Sequence, residues 1–137
     1  MLTDIERRVV ILSLVSKKED DPDFWGNARL RKSILLLQKE EGVPLGFVFS
    51  LERERPVSPE LQLFLEKMMF ENDLVVESTP LGFRRTIGTH GHELLRENPG
   101  IIGKYEEQIN RVFEKIRSMS LTDLRVAARN TYLAHPE

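Results

Sequence analysis

The sequence predicts a mostly helical α+β fold, in which three helices and a β-hairpin are extended by two further helices. Three observations predict it. Side-chain caps at Thr3, Ser58 and Ser120 stand directly ahead of apolar residues at helical spacing. Two β-prone runs, residues 74–77 and 83–87, flank a turn containing Pro80 and Gly82. At 137 residues, with 40% hydrophobic and 31% charged side chains, the chain has the size and composition of a single globular domain, able to bury roughly two-thirds of its unfolded surface.

Thr3 and Glu6 have capping-box spacing, hydroxyl and carboxylate each satisfying an amide that the helix leaves orphaned, so a first helix is expected over residues 4–18. Its run of Val9, Val10, Ile11, Leu12, Leu14 and Val15 leaves little polar face, which predicts burial on most sides. Asn27 is the expected N-cap of a second helix, residues 28–41, with Leu30, Ile34 and Leu37 on one stripe and Gly42 as its left-handed stop. Alternation of Phe47, Phe49 and Leu51 with Val48 and Ser50 suggests a short strand. Ser58 followed by Pro59 opens a third helix to about Asn72, because proline's missing N–H costs nothing in the first turn. The hairpin then needs a five-residue connection, a short helical turn carries Leu94 and Leu95, and Asn98-Pro99-Gly100 breaks the chain. Tyr105, Ile109, Val112, Phe113 and Ile116 mark an amphipathic helix, and Ser120 caps a last one running to about Leu133. Residues 1–95 thus form the expected core and 101–134 a C-terminal helical extension of one domain.

Helix, helix, capped helix and hairpin in that order is winged-helix connectivity, where the third helix and the hairpin wing face DNA. Residues 27–95 also resemble a group of small microbial proteins called phage-associated proteins, which includes the Panacea antitoxin domain. Leu30-Arg31-Lys32, the run from Pro56 to Leu61, and Thr89-His90-Gly91 with Leu94-Leu95 carry the resemblance, with Arg31, Arg55 and Val57 standing where the group has Gln, Gly and an aromatic residue. The resemblance implies a winged-helix-like fold and a toxin-neutralising or regulatory role.

With no cysteine, thiolate nucleophiles, disulfides and zinc-thiolate sites are excluded, and a reducing compartment is expected. An acidic start, where a signal peptide would be basic, and apolar runs far too short to span a bilayer point to the cytoplasm and away from membranes. His90 and His92 are spaced i, i+2, which points the two rings to different sides of a helix start, and Asp20, Asp21 and Asp23 lack the glycine and distal glutamate of a calcium loop. Neither a phosphate-cradling glycine loop nor a nucleophile elbow is present. The expectation is a protein that is not an enzyme and uses no metal or cofactor.

Net charge is −2, without a strong basic stripe. Candidate nucleic-acid contacts are Arg84 and Arg85 on the wing and Arg29, Arg31 and Lys32 on the second helix; the competing reading for each is solvated surface. Against DNA stands the third helix, with Glu60, Glu66 and Glu71 against Lys67, an acidic surface that a major groove would repel. Met68, Met69 and Phe70 are more apolar groups in a row than one helix face buries, so Met69 or Phe70 is a candidate partner contact or packs beneath the C-terminal helices. The expected function is a recognition module working mainly through a protein partner, with self-association left open; the alternative is a transcription regulator that binds DNA.

Overall fold

A computed structural model describes residues 1–21, 23–80 and 82–135. Helix α1 spans Asp4–Ser16 and begins on the expected capping box, with the Glu6 amide donating to Thr3 Oγ1 at 3.1 Å and the Thr3 amide donating to Glu6 Oε1 at 2.9 Å. Every residue from Arg8 to Val15 is buried. α1 is therefore the axis on which the other elements pack, principally α4, α5 and β4.

Helix α2 spans Asn27–Lys39, and its N-cap is Gly26 rather than Asn27. The cause is upstream: Trp25 is fully buried with its indole Nε1 donating to the Val15 carbonyl at 3.0 Å, which fixes the chain so that the Gly26 carbonyl accepts the first helical bond from Leu30. Gly42 takes the left-handed conformation (φ 72°) beyond the helix end. From Val43 to Phe49, residues are alternately buried and exposed, the pattern of a strand without a strand partner. The Gln38 side chain takes the partner's place: its amide nitrogen donates to the Phe47 carbonyl at 2.6 Å and its oxygen accepts from the Phe47 N–H at 2.8 Å. Strand pairing starts only at β1, Ser50–Glu52, which joins β2, Arg55–Val57, in an antiparallel hairpin that the sequence reading missed. The two residues between them, Arg53 (φ 50°) and Glu54 (φ 63°), both lie in the left-handed region although neither is glycine or asparagine.

Helix α3 spans Pro59–Phe70, capped by Ser58 Oγ accepting from the Leu61 amide at 3.1 Å, with Leu61, Phe64, Leu65 and Met68 turned inward. Strands β3, Leu74–Thr79, and β4, Gly82–Ile87, pair in register from Leu74 opposite Ile87 to Thr79 opposite Gly82, so the connection is shorter than the five residues expected. Helix α4 covers Thr89–Glu97. Pro99 then serves as the first residue of α5, Pro99–Ile116, instead of a break, and Asn98 Nδ2 closes α4 by donating to the Leu94 carbonyl. Helix α6, Leu121–Ala134, begins on the expected Ser120 cap. The fold is thus α+β, with six helices and two small antiparallel hairpins among the described residues. One cluster of buried side chains runs through it and includes Leu30, Ile34, Leu37, Phe64, Met68 and Ile109.

The elements meet at a buried carboxylate. Asp73, 0% exposed, lies between α3 and β3; Arg8 Nη1 reaches its Oδ2 at 3.1 Å and His90 Nδ1 hydrogen-bonds its Oδ1. The other Arg8 nitrogen, Nη2, bridges Asp4 at 2.8 Å and Glu71 at 2.6 Å. Backbone bonds complete the joint, with the Asp73 amide donating to Met68 and its carbonyl accepting from Gly88. Gly91 belongs to it as well, because a Cβ there would collide with the Asp73 carbonyl. At the opposite end, Lys115 meets Glu40 and Arg111 meets Glu41, each at 2.8 Å, fastening α5 to the end of α2.

Two predictions follow from these observations. Arg8→Met leaves Asp73 buried without its cation and should lower stability by about 3–5 kcal/mol in urea unfolding, the cost of breaking a buried pair from one side. Replacing Arg53-Glu54 by Asn-Gly should raise stability by about 1 kcal/mol, since each left-handed non-glycine residue costs about 1–2 kcal/mol, offset in part by the lost freedom of the unfolded chain and a surface ion pair; a lower denaturation midpoint would contradict the turn geometry.

Candidate functional site

Two residues singled out in the sequence, Arg31 and Lys32, sit on the face of α2 that looks toward α6 and the β1–β2 hairpin, and there they line a cavity of about 680 Å³. Leu35, Phe49, Val57, Leu61 and Ala128 give it apolar walls, and its polar lining is six basic side chains, Arg31, Lys32, Arg53, Arg55, Arg125 and Arg129, against Glu52 and Glu54. The elements that place them are built for other reasons. α2 and α6 lie side by side on the core, and the hairpin turns at Arg53-Glu54 so that Arg55 comes back beside α6. Arg129 Nη2 holds Glu54 Oε1 at 3.2 Å, tying the strained turn to α6.

Among the described residues, Arg31, Lys32, Arg55 and Arg125 have no carboxylate within ion-pairing distance. Burial pushes the Lys32 ammonium pKa down from its ordinary 10.5, and the positive charges of Arg125, Arg31 and Arg55 push it the same way. A lysine whose charged form is disfavoured in the fold alone weakens the fold while protonated. That penalty is full below the lowered pKa, falls as pH rises beyond it and is gone above the ordinary 10.5, and an anion placed among the four cations opposes it at neutral pH.

The remaining candidates divide. Arg85 on β4 is half-buried, its pKa lowered by burial and then by the charge of Arg31, and its Nε and Nη1 are enclosed without a hydrogen-bond partner among the described residues. Arg84, its neighbour on the other face of the hairpin, pairs with Glu77 directly across the strands at 2.9 Å. Arg29 points away from the cavity: its guanidinium stacks over Phe24 and donates to the carbonyls of Ile116 and Met119 at 3.3 and 3.1 Å, satisfying the end of α5. Phe70 is 91% exposed at the end of α3, whereas Met69 is half-buried against the core. His90 is engaged with Asp73 and His92 is exposed. No group of three or more His, Cys, Asp or Glu side chains suited to a metal gathers among the described residues.

Sequence reading missed Arg55 and Arg125, which complete the cation cluster. Signals existed for both: Arg125 and Arg129 are spaced i, i+4 on one face of α6, and residues 52–55 alternate acidic and basic. Only the tertiary fold shows that these faces converge on α2. Among the described residues no helix is long and apolar enough to cross a membrane. Comparison with protein-family models, with curated proteins and with solved structures found no match to the chain.

Convergence of the four charges can be read directly from titration of the Lys32 ammonium by NMR. Its pKa should rise toward 10.5 in Arg125→Ala, because a like charge has been removed, and should not move in Arg96→Ala on exposed α4.

Proposed function

We propose that this chain is a non-enzymatic, winged-helix-like recognition module, antitoxin-like or regulatory in role and cytoplasmic, which works mainly through protein contacts and receives an acidic segment of its partner in the basic cavity. The observation that carries this reading is the set of cations Arg31, Lys32, Arg55 and Arg125, unpaired among the described residues, above apolar walls. Acidic side chains complement the charges, and their apolar neighbours can fill the recess between Leu35, Phe49 and Leu61. A protein segment supplies both at once. The α3 surface supports the same reading, since its exposed residues include Glu60, Glu66 and the apolar Leu63 and Phe70, a poor match to phosphate and a good one to protein.

The second reading is a DNA-binding regulator, favoured by Arg85, whose Nε and Nη1 have no partner among the described residues, beside the charge of Arg31, which extends the basic charge from the cavity toward β4. With Arg84 paired to Glu77 and Arg29 committed to the end of α5, Arg85 is the hairpin candidate left for a duplex, and the other cations gather in the cavity instead of along a run of backbone phosphates. Such binding is weak and collapses with salt, by about one unit of slope per phosphate contacted.

A labelled peptide alternating leucine and glutamate should bind saturably, and Arg55→Ala with Arg125→Ala should weaken it about tenfold or more, as expected for the loss of hydrogen bonds to charged groups. A lysine counterpart should not bind. Duplex DNA should show no sequence preference at physiological ionic strength. Nanomolar binding to a defined duplex, lost in an Arg84→Ala, Arg85→Ala double variant, would instead establish the regulator.

A further inference from the structure

The arrangement around Lys32 narrows the chemistry of the ligand, on the premise that the cavity is the recognition site. Its cations come from three elements: Arg31 and Lys32 from α2, Arg55 from β2 and Arg125 from α6. They are close enough that all three arginines disfavour the charged form of Lys32. A row of cations spaced along a groove would suit a row of carboxylates. Cations gathered from three elements around one lysine in a single cavity suit one compact centre of high charge. A carboxylate carries a single negative charge on two coplanar oxygens, and bringing two carboxylates to the same point sets them against each other. A phosphate monoester carries about −1.5 to −2 at neutral pH on three oxygens directed apart, so that guanidinium forks and an ammonium can each take an oxygen from a different side.

We propose that the cavity binds a dianionic phosphate monoester, carried by a phosphorylated side chain of the partner segment, with the phosphoryl group at Lys32 and the flanking apolar residues of that segment against Leu35 and Phe49. The fold equips the site for an incoming anion. Glu54, a carboxylate at the hairpin tip, is held aside by Arg129, and the left-handed Arg53-Glu54 turn is the kind of costly backbone that persists at ligand clamps.

The test uses the full chain and two sets of probes. Phenyl phosphate, phenyl sulfate and benzoate share one ring and differ in the charge and shape of the anion; calorimetric titration should show phenyl phosphate binding about tenfold or more tightly than either monoanion. Lys32→Met should weaken it by a similar factor, as should the exposed Arg125→Ala, which keeps the comparison valid if the half-buried lysine variant folds poorly; Arg96→Ala should leave it unchanged. In the second set, a leucine-flanked phosphoserine peptide is compared with its serine and glutamate versions, and it should bind more tightly than both and more tightly than phenyl phosphate. If the glutamate peptide binds as well as the phosphopeptide, the phosphate assignment is overturned while acidic-segment recognition stands. If phenyl phosphate binds as well as the phosphopeptide, the protein-borne source is overturned in favour of a free phosphate monoester. If no anion in either set binds, both this inference and the recognition reading fall.

Discussion

The buried pair of Arg8 and Asp73 is the constraint on which the other elements are arranged. A carboxylate with no exposed surface is costly to charge, and burial does push the Asp73 carboxyl pKa upward; the hydrogen bond to His90 and the charge of Arg8 oppose that push. To supply those partners, α1 must present Arg8, only 4% exposed, at the start of its buried, mainly apolar run. α4 must start close enough for His90 to arrive, and Gly88 and Gly91 must leave room for the Asn72 and Asp73 backbone. One side chain therefore specifies where α3 ends, where β3 begins and how α4 meets α1. Well-packed apolar side chains are often no less favourable than a buried ion pair, so the consequence of Arg8 and Asp73 that the structure displays is geometric: where these elements meet.

The cavity stands at some distance in kind from this joint. Its walls are the backs of elements whose other faces build the core, so Leu35 and Leu61 serve both. The core holds α2 rigid, and the cations on its outer face are thereby held near one another against their repulsion. Free side chains on a flexible loop would spread apart; here Lys32 stays half-buried among like charges. The Glu40 carboxylate acts to the same end, since it pairs with Lys115 of α5 and accepts from Thr131 Oγ1 of α6 at 3.2 Å, which helps set where Arg125 lies on α6.

What could be read from sequence was what local chemistry dictates. Thr3, Ser58 and Ser120 cap helices because a hydroxyl three residues ahead of an orphan amide has little else to do, and α1 is buried because it has no polar face to expose. The failures are equally physical. Asn27 lost the N-cap position to Gly26 because the indole of Trp25, just upstream, is anchored on the Val15 carbonyl of α1 and set where the chain could turn. The β1–β2 hairpin was invisible because its turn uses Arg and Glu where glycine or asparagine would have announced it. The strand expected at Phe47 and Phe49 has the right alternation but pairs with a glutamine side chain, which no periodicity reveals. For the site, Arg31 and Lys32 were legible as a basic spot, while their companions Arg55 and Arg125 required knowing that three separate surfaces meet.

The enclosure of α1 also governs how the chain acquires its structure. Amphipathic helices can form early with their polar side in water, but α1 has no such side from Arg8 onward, and Arg8, the charged residue of that buried run, finds Asp73 only 65 positions along the chain. α5, which covers much of the rest, is made later still. During synthesis this segment consequently remains an uncovered apolar stretch until most of its coverers exist, and its contacts close large loops at an entropic cost that local helices avoid. Folding should be slow for so helical a protein, and the waiting α1 segment is the place where a holdase chaperone would bind and where, at high expression, association between chains would start.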